Sequence, residues 1–253
     1  MKIKPYFKTE LAKPYQGKFL HEAGTSVIMN MLVKTKSVGD FMVMLPDPVS
    51  LNLNNAQNFI DKCEKLRERI NHAKEIQVFS KKLTEQEIKA SSPGRIKELD
   101  PEADIFRLLD QDKVFDYIQT STGMVVSLVT AIESFVNLII PHDYIHERVN
   151  RKGNKETLDK VKLVRKCSIE EKLEIIASIK NKSNIKVQGF WESFTQIKDL
   201  RNDIIHFKKM DDKIDQMWSP IVVFLFDSNL QKLFDNIVEL IQYLHPDYLS
   251  IEK

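Results

Sequence analysis

Apolar residues recur along most of this chain at steps of three and four, the spacing that gathers side chains on one face of an α-helix. Phe59, Cys63, Leu66, Ile70, Ala73 and Ile76 mark such a stripe among charged neighbours and predict an amphipathic helix from Asn55 to about Leu83. The stretch from Val114 to Ile140 is longer and apolar over much of its circumference near the end, as a central bundle helix must be, and Pro141 stops it. Ser168 and Glu171 stand at capping-box spacing and open a helix to about Ile179, since hydroxyl and carboxylate can each satisfy a free helix-end N–H. Gly189 precedes a helix from Phe190 to about Lys209. Ser219 before Pro220 and Asn229 before Leu230 read as caps. Leu230, Leu233, Phe234, Ile237, Leu240, Ile241 and Leu244 stripe the last helix.

The first residues break this rhythm. SVIMNMLVKT and DFMVMLP are rich in β-branched residues and methionine, are separated by KSVGD, and predict a hairpin from Ser26 to about Leu45. The polar stretch TEQEIKASSPGRIKELDP carries Ser91, Ser92, Pro93, Gly94 and Pro101 and predicts a boundary near residue 100. The expected fold is therefore mainly α. An up-and-down four-helix bundle over 101–253 follows a smaller mixed region, 1–100, built from the hairpin and the long helix.

Composition narrows the functions. With 38 Lys+Arg against 36 Asp+Glu the formal charge is +2, too even to reveal a nucleic-acid or membrane partner in bulk. At 42% hydrophobic over 253 residues the chain can bury a real core, and seven glycines with nine prolines argue against a turn-rich all-β sandwich. Cys63 and Cys167 have no cysteine or histidine companions at zinc spacing, so two buried thiols in a reducing cytoplasm are expected. No apolar run approaches the roughly 18 residues of a membrane span, and no hydrophobic stretch follows the basic start. Neither membrane insertion nor secretion is expected. The chain has no GxxxxGK[ST], GxGxxG or GxSxG, which leaves phosphate-loop hydrolysis, dinucleotide redox chemistry and α/β-hydrolase chemistry without support.

One segment differs from an ordinary solvated helix face: KDLRNDIIHFK, Lys198 to Lys208. On a wheel of 100° per residue with Leu200 at zero, Leu200, Ile204 and Phe207 fall at roughly 0°, 40° and 340°, a core-facing stripe. Asn202 and His206 come to roughly 200° and 240°, neighbours one turn apart, and Arg201 at about 100° can swing toward them. Ile205, Phe194 and Trp191, at roughly 140°, 120° and 180°, add an apolar strip beside the polar trio that suggests contact with another chain.

These residue types suit phosphodiester chemistry. Arginine offers a fixed fork of donors to phosphate oxygens and stays charged at any working pH. Histidine, with a reference pKa of about 6.5, can both take and give a proton. Metal-free RNA cleavage needs a base for the 2′-hydroxyl, a cation for the crowded phosphorus and an acid for the leaving 5′-oxygen. One histidine cannot fill both proton-transfer roles from one position, so two copies joined through the apolar strip would complete the site.

Arg201-Asn202-Asp203-Ile204-Ile205-His206 resembles the Arg-polar-x3-His motif of the HEPN superfamily (higher eukaryotes and prokaryotes nucleotide-binding). AIESFVNLI, Ala131 to Ile139, is similar to the first core helix of its defence-associated members, where an acidic residue faces the site. Glu133 matches that residue, and Asn137 shares its face one turn later. The resemblance covers Val114 to Lys253. It implies an all-α bundle, a homodimer with two motifs side by side, and metal-independent endoribonuclease activity leaving a 2′,3′-cyclic phosphate. It also implies a role as a toxin or antiviral effector with an antitoxin or defence-system partner. Arg201, Asn202, His206 and Glu133 are thus the candidate catalytic residues, and no cofactor is expected. The alternative is a HEPN-like binding or adaptor module for a protein or nucleotide, since a fold does not carry its activity with it.

Two further groups carry candidate chemistry. His142 and His146 stand four apart on a helix expected after Pro141, a spacing that suits two metal ligands, but the HExxH glutamate is missing and a solvated face is preferred. The basic run from Arg148 to Lys166 is the best local source of positive potential, diluted by Glu147, Glu156 and Asp159. Arg148, Arg151, Lys152 and, beside the motif, Lys198 are the candidate RNA contacts.

Overall fold

Asp47 starts the first helix, α1 (Pro48–Ile70): its carboxylate accepts the N–H groups of Val49 at 3.2 Å and Ser50 at 3.1 Å, as an N-cap side chain does. Val49, Leu53, Ala56, Ile60, Cys63, Leu66 and Ile70 bury one face of it. The computed structural model describes residues 3–6, 8–10, 15–16, 20–21, 26–70, 75–79, 82–102, 104–149, 153–182, 184–205 and 214–250, and the fold they form is mainly helical. Ahead of α1, β1 (Lys8–Glu10) pairs antiparallel with β4 (Ser26–Ile28), β2 (Tyr15–Gln16) with β3 (Leu20–His21), and β5 (Asn30–Thr35) with β6 (Gly39–Met44). The β5–β6 pair is the expected hairpin. Its turn enters β6 at Gly39 with φ of +83°, a conformation that suits a residue without Cβ.

After α1 come β7 (Glu75–Phe79), α2 (Glu85–Ala90), α3 (Pro93–Leu99), β8 (Asp104–Leu108) and α4 (Gln111–Ile139). Then follow β9 (His146–Val149), β10 (Lys155–Leu158), α5 (Lys160–Lys166), α6 (Ile169–Ile179), a 3-10 turn at Ile185–Val187, α7 (Gly189–Ile205), α8 (Ile214–Asp227) and α9 (Leu230–Leu244). The chain divides into two compact units. One comprises Met1–Asn58 with Gly123–Lys253, and the other Phe59–Thr122.

Within Phe59–Thr122 the helix expected to reach Leu83 stops at Ile70, and β7 pairs antiparallel with β8. The reason is legible in EIQVF: Ile76 and Val78 are β-branched and two apart, so the period changes from 3.6 to 2 within one apolar run. The polar stretch read as a boundary folds into α2 and α3. Thr84 and Glu87 form a complete capping box for α2, and Pro93 occupies the first turn of α3. Tyr117, fully buried on α4, accepts a 2.6 Å hydrogen bond from Arg67.

In the larger unit α4 is the central core helix, with Met124, Val125, Leu128, Val129, Ala131, Ile132, Phe135 and Val136 buried. By length and composition α4 could cross a bilayer, contrary to the expectation drawn from unbroken apolar runs. The side chains just named are covered by the protein itself. α6 contributes Leu173 and Ile176, α7 Phe190, Phe194 and Ile197, and α9 Phe234, Ile237, Leu240, Ile241 and Leu244. Cross-helix hydrogen bonds run among polar members of the same helices: Asn236 of α9 donates to Ser193 of α7 at 2.7 Å. Two expectations fail here. Ser219 is not a cap, because α8 begins at Ile214 and runs through Pro220. His142 and His146 do not share a helix: His146 opens β9, which pairs with β10 so that His146 lies opposite Leu158. Ile145, Glu147 and Val149 are exposed there while His146 and Arg148 are half-buried, the alternation of a strand.

Candidate functional site

α6 opens with three charged residues, and each reaches a different element. Ser168 caps the helix by accepting the Glu171 N–H at 3.2 Å, but the Glu171 carboxylate does not close the expected capping box. It turns to Arg148 of β9, whose Nη1 donates to both carboxylate oxygens at 2.9 Å, with His146 Nε2 at 3.5 Å. Arg148 also donates to Glu156 of β10 at 3.3 Å. Glu171 holds the Arg148 guanidinium above its ordinary pKa, and against the pull of burial Arg148 holds Glu171 below the usual carboxylate value. Glu170 pairs with Lys198 of α7, which also meets Asp199 at 3.1 Å. Burial opposes the Lys198 charge, yet these carboxylates keep its pKa above the ordinary lysine value.

Lys172 points inward and is 6% exposed. Its ammonium donates to the carbonyl of Val164 at 2.7 Å and to Asn137 Oδ1 on α4 at 3.1 Å. Burial pushes its pKa down, and the neighbouring Glu133 charge opposes that shift. Sequence reading did not single out Lys172. The signal was present: Ile169, Leu173, Ile176 and Ile179 form the apolar stripe of α6, and Lys172 stands inside it.

Arg201, in the last described turn of α7, lies 3.6 Å from Glu133 on α4. Its Nη1 donates to Asn202 Oδ1 at 3.1 Å. Arg201, Asn202 and Glu133, three of the four candidate catalytic residues, thus come together between α4 and α7, half-buried and open to solvent on one side. The fourth, His206, lies outside the described residues, as do the candidate contacts Arg151 and Lys152. Arg148 and Lys198 are described, and their charges are engaged by carboxylates of this chain. The apolar strip needs correction. Phe194 is fully buried and packs at 5.0 Å centroid distance against half-buried Trp191, so only Ile205, 48% exposed, remains an open apolar member. The buried arc of α7 includes Phe190, Ser193, Phe194, Ile197 and Leu200 and centres near Ile197, roughly 60° from the Leu200 origin chosen for the wheel. Compared with known proteins, the chain matches no family model, no curated protein and no solved structure.

Among the described residues no cluster of three His, Cys, Asp or Glu side chains is placed to hold a metal ion. A cavity of about 320 Å³ lies at the far end of α6, lined by Glu174, Ala177, Lys182, Asn184, Ile185 and Val187, and includes none of the candidate residues.

The α4–α7 arrangement has clear chemical capacity. Arg201 is a permanent cation, held by one carboxylate and one carboxamide, and its remaining donors can meet an anionic oxygen. Because Arg201 only donates, the Asn202 atom facing it must be the oxygen, so the Asn202 NH2 group points elsewhere. No described residue accepts from it.

Proposed function

We propose that this chain is a metal-independent endoribonuclease of HEPN type, acting in the cytoplasm as a toxin or antiviral effector. The single observation that supports this reading most is the convergence of Arg201 and Asn202 of α7 with Glu133 of α4. Those are the residues the family resemblance selects, and Glu133 stands about 70 residues before the other two in sequence, a separation no local pattern spans. Arg201 stabilises the charge that develops on the non-bridging phosphate oxygens. Asn202 donates to the same group and fixes its position. His206 takes the 2′-hydroxyl proton or supplies one to the 5′-oxygen, and a second copy of the chain provides the complementary histidine. Glu133 orients Arg201.

A second reading has its own support. The Arg201 guanidinium is already shared between Glu133 and Asn202, as in a static polar contact that recognises a partner protein or nucleotide without cleaving anything. One experiment separates the two: purified protein with total RNA and labelled tRNA in EDTA, beside Arg201→Ala and His206→Ala. The nuclease reading expects cleavage by the wild type alone, with 2′,3′-cyclic phosphate ends. Wild-type-like cleavage by either variant overturns the residue assignment, and binding without cleavage by all three selects the module.

A further inference from the structure

Asn137 and Lys172 form a second unit of the same kind as Asn202 and Arg201. Asn137 stands one turn after Glu133 on α4, on the same helix face. Its Oδ1 accepts from the Lys172 ammonium at 3.1 Å. An ammonium has three donors and no acceptor, so this contact fixes which end of the carboxamide faces Lys172 whatever else surrounds it. The Asn137 NH2 group therefore faces away from Lys172. Asn137 is half-buried, and no described residue accepts from its NH2 group, so its two N–H donors are open. Lys172 itself is too buried to meet a ligand, and its place is set by the carbonyl of Val164 as well as by Asn137.

The two carboxamides thus share one design: a cation of the protein holds each oxygen, Arg201 for Asn202 and Lys172 for Asn137, and each NH2 group is turned outward. Both lie beside Glu133, which faces Arg201 at 3.6 Å and sits near enough to Lys172 to oppose the effect of its burial. Neutral donors held rigidly in pairs suit the two non-bridging oxygens of a phosphodiester. They bind without adding a charge that would otherwise pair with Glu133.

We propose that Asn137 is a substrate-binding residue that donates to a phosphodiester oxygen of RNA, and that Lys172 is its positioning residue, locking the carboxamide with its donors outward. This rests on the reading of the α4–α7 site as an RNA site. The test uses the full chain and an RNA oligonucleotide with 2′-O-methyl groups throughout, which binds but lacks the attacking hydroxyl. Asn137→Asp keeps an acceptor for Lys172, so Tm and circular dichroism stay near wild type, while the outward donors are lost; affinities are compared at high salt, where repulsion by the added carboxylate is screened and the loss of the donors remains. Its affinity for the oligonucleotide falls roughly tenfold, the scale of one hydrogen bond to a charged group. With cleavable RNA the loss appears in KM more than in kcat. In Lys172→Gln the side chain can either donate or accept, so the carboxamide is no longer locked and affinity falls. Combining it with Asn137→Asp adds no further loss, because both changes act on the same two donors. Wild-type affinity in Asn137→Asp, or fully additive losses in the double variant, overturns the proposal and leaves the Arg201 site standing. Failure of the wild type itself to bind the oligonucleotide overturns both.

Discussion

Arg201 and Glu133 face each other at 3.6 Å across α7 and α4, an ion pair longer than a good hydrogen bond, with both side chains partly open to water. Such a pair contributes about 0.2–1 kcal/mol to stability, so its value lies in where it holds the guanidinium. On the proposed nuclease reading, Glu133→Gln should therefore change Tm little while lowering kcat for RNA cleavage by about tenfold, since the arginine loses its anchor but keeps its charge. Arg201→Ala should cost on the order of 100-fold to 1000-fold, the usual loss of a transition-state donor. Steady-state cleavage of a labelled oligonucleotide, beside thermal melts of each variant, checks both.

A separate contact ties the end of the chain to the start of α1. Tyr248 donates to Asp47 Oδ1 at 3.0 Å, and the same buried carboxylate accepts from Ser50. Asp47→Ala removes a cap and strands these donors, for an expected loss of about 2 kcal/mol. Tyr248→Phe removes one bond, about 1 kcal/mol. Burial, and then the Asp47 charge, push the Tyr248 hydroxyl well above its ordinary value of 10.0. A folded-state pKa raised above the unfolded one gives stability that is complete below pH 10 and declines as pH rises beyond it. Melts in a series from pH 8 to 11, on scales set by that reference value, should show a shallower alkaline loss in Tyr248→Phe than in wild type.

The two thiols make a related prediction about reactivity. Burial is the main cause that pushes both Cys63 and Cys167 up to about 11 from 9.0, and Cys167 is raised further by Glu171. Only the thiolate is nucleophilic, so near neutral pH both should react slowly with an alkylating reagent in the native protein and rapidly in denaturant. The same shift contributes stability that is intact below pH 9 and lost between 9 and 11. Quantitative labelling of Cys167 in the folded chain would contradict the burial on which this rests.

Sequence periodicity located α6, α7 and α9 well because each has one apolar stripe and a clear start, such as Asn229, whose Oδ1 accepts the Lys232 N–H at 3.0 Å. It failed where two periods overlap. Ile76 continues the stripe of α1 by spacing, yet it belongs to β7, and strand pairing with β8 is a long-range fact that no local window contains. His142 and His146 misled for the same reason, since four residues span one helical turn or two strand repeats equally. The candidate site was legible in part. Arg201, Asn202 and Glu133 could be named from the chain, whereas Lys172 was hidden by its type, because a lysine within an apolar stripe reads as solvated until its partners on α4 and α5 are visible. A wheel centred on Leu200 puts Phe194 away from the core, whereas the buried arc of α7 extends to one side of Leu200, through Ile197 to Phe194.

That last correction decides how the proposed dimer is to be tested. Phe194 is wholly buried, so Phe194→Ala should cost about 3–5 kcal/mol and destabilise the chain itself, and any loss of association would carry no information about an interface. Ile205 is 48% exposed in the last described turn of α7, four residues beyond Arg201. Ile205→Glu should leave Tm near wild type, because an exposed side chain contributes little to folding. Placed against a second copy, the same glutamate would be desolvated facing its own symmetry mate, and like charges brought together out of water separate the subunits. Sedimentation of wild type and Ile205→Glu over a range of concentrations reads this directly. A dimer that dissociates in the variant, with cleavage lost in parallel, ties the paired site to this end of α7. A dimer that survives unchanged places the interface elsewhere and leaves each Arg201 to act without the other copy.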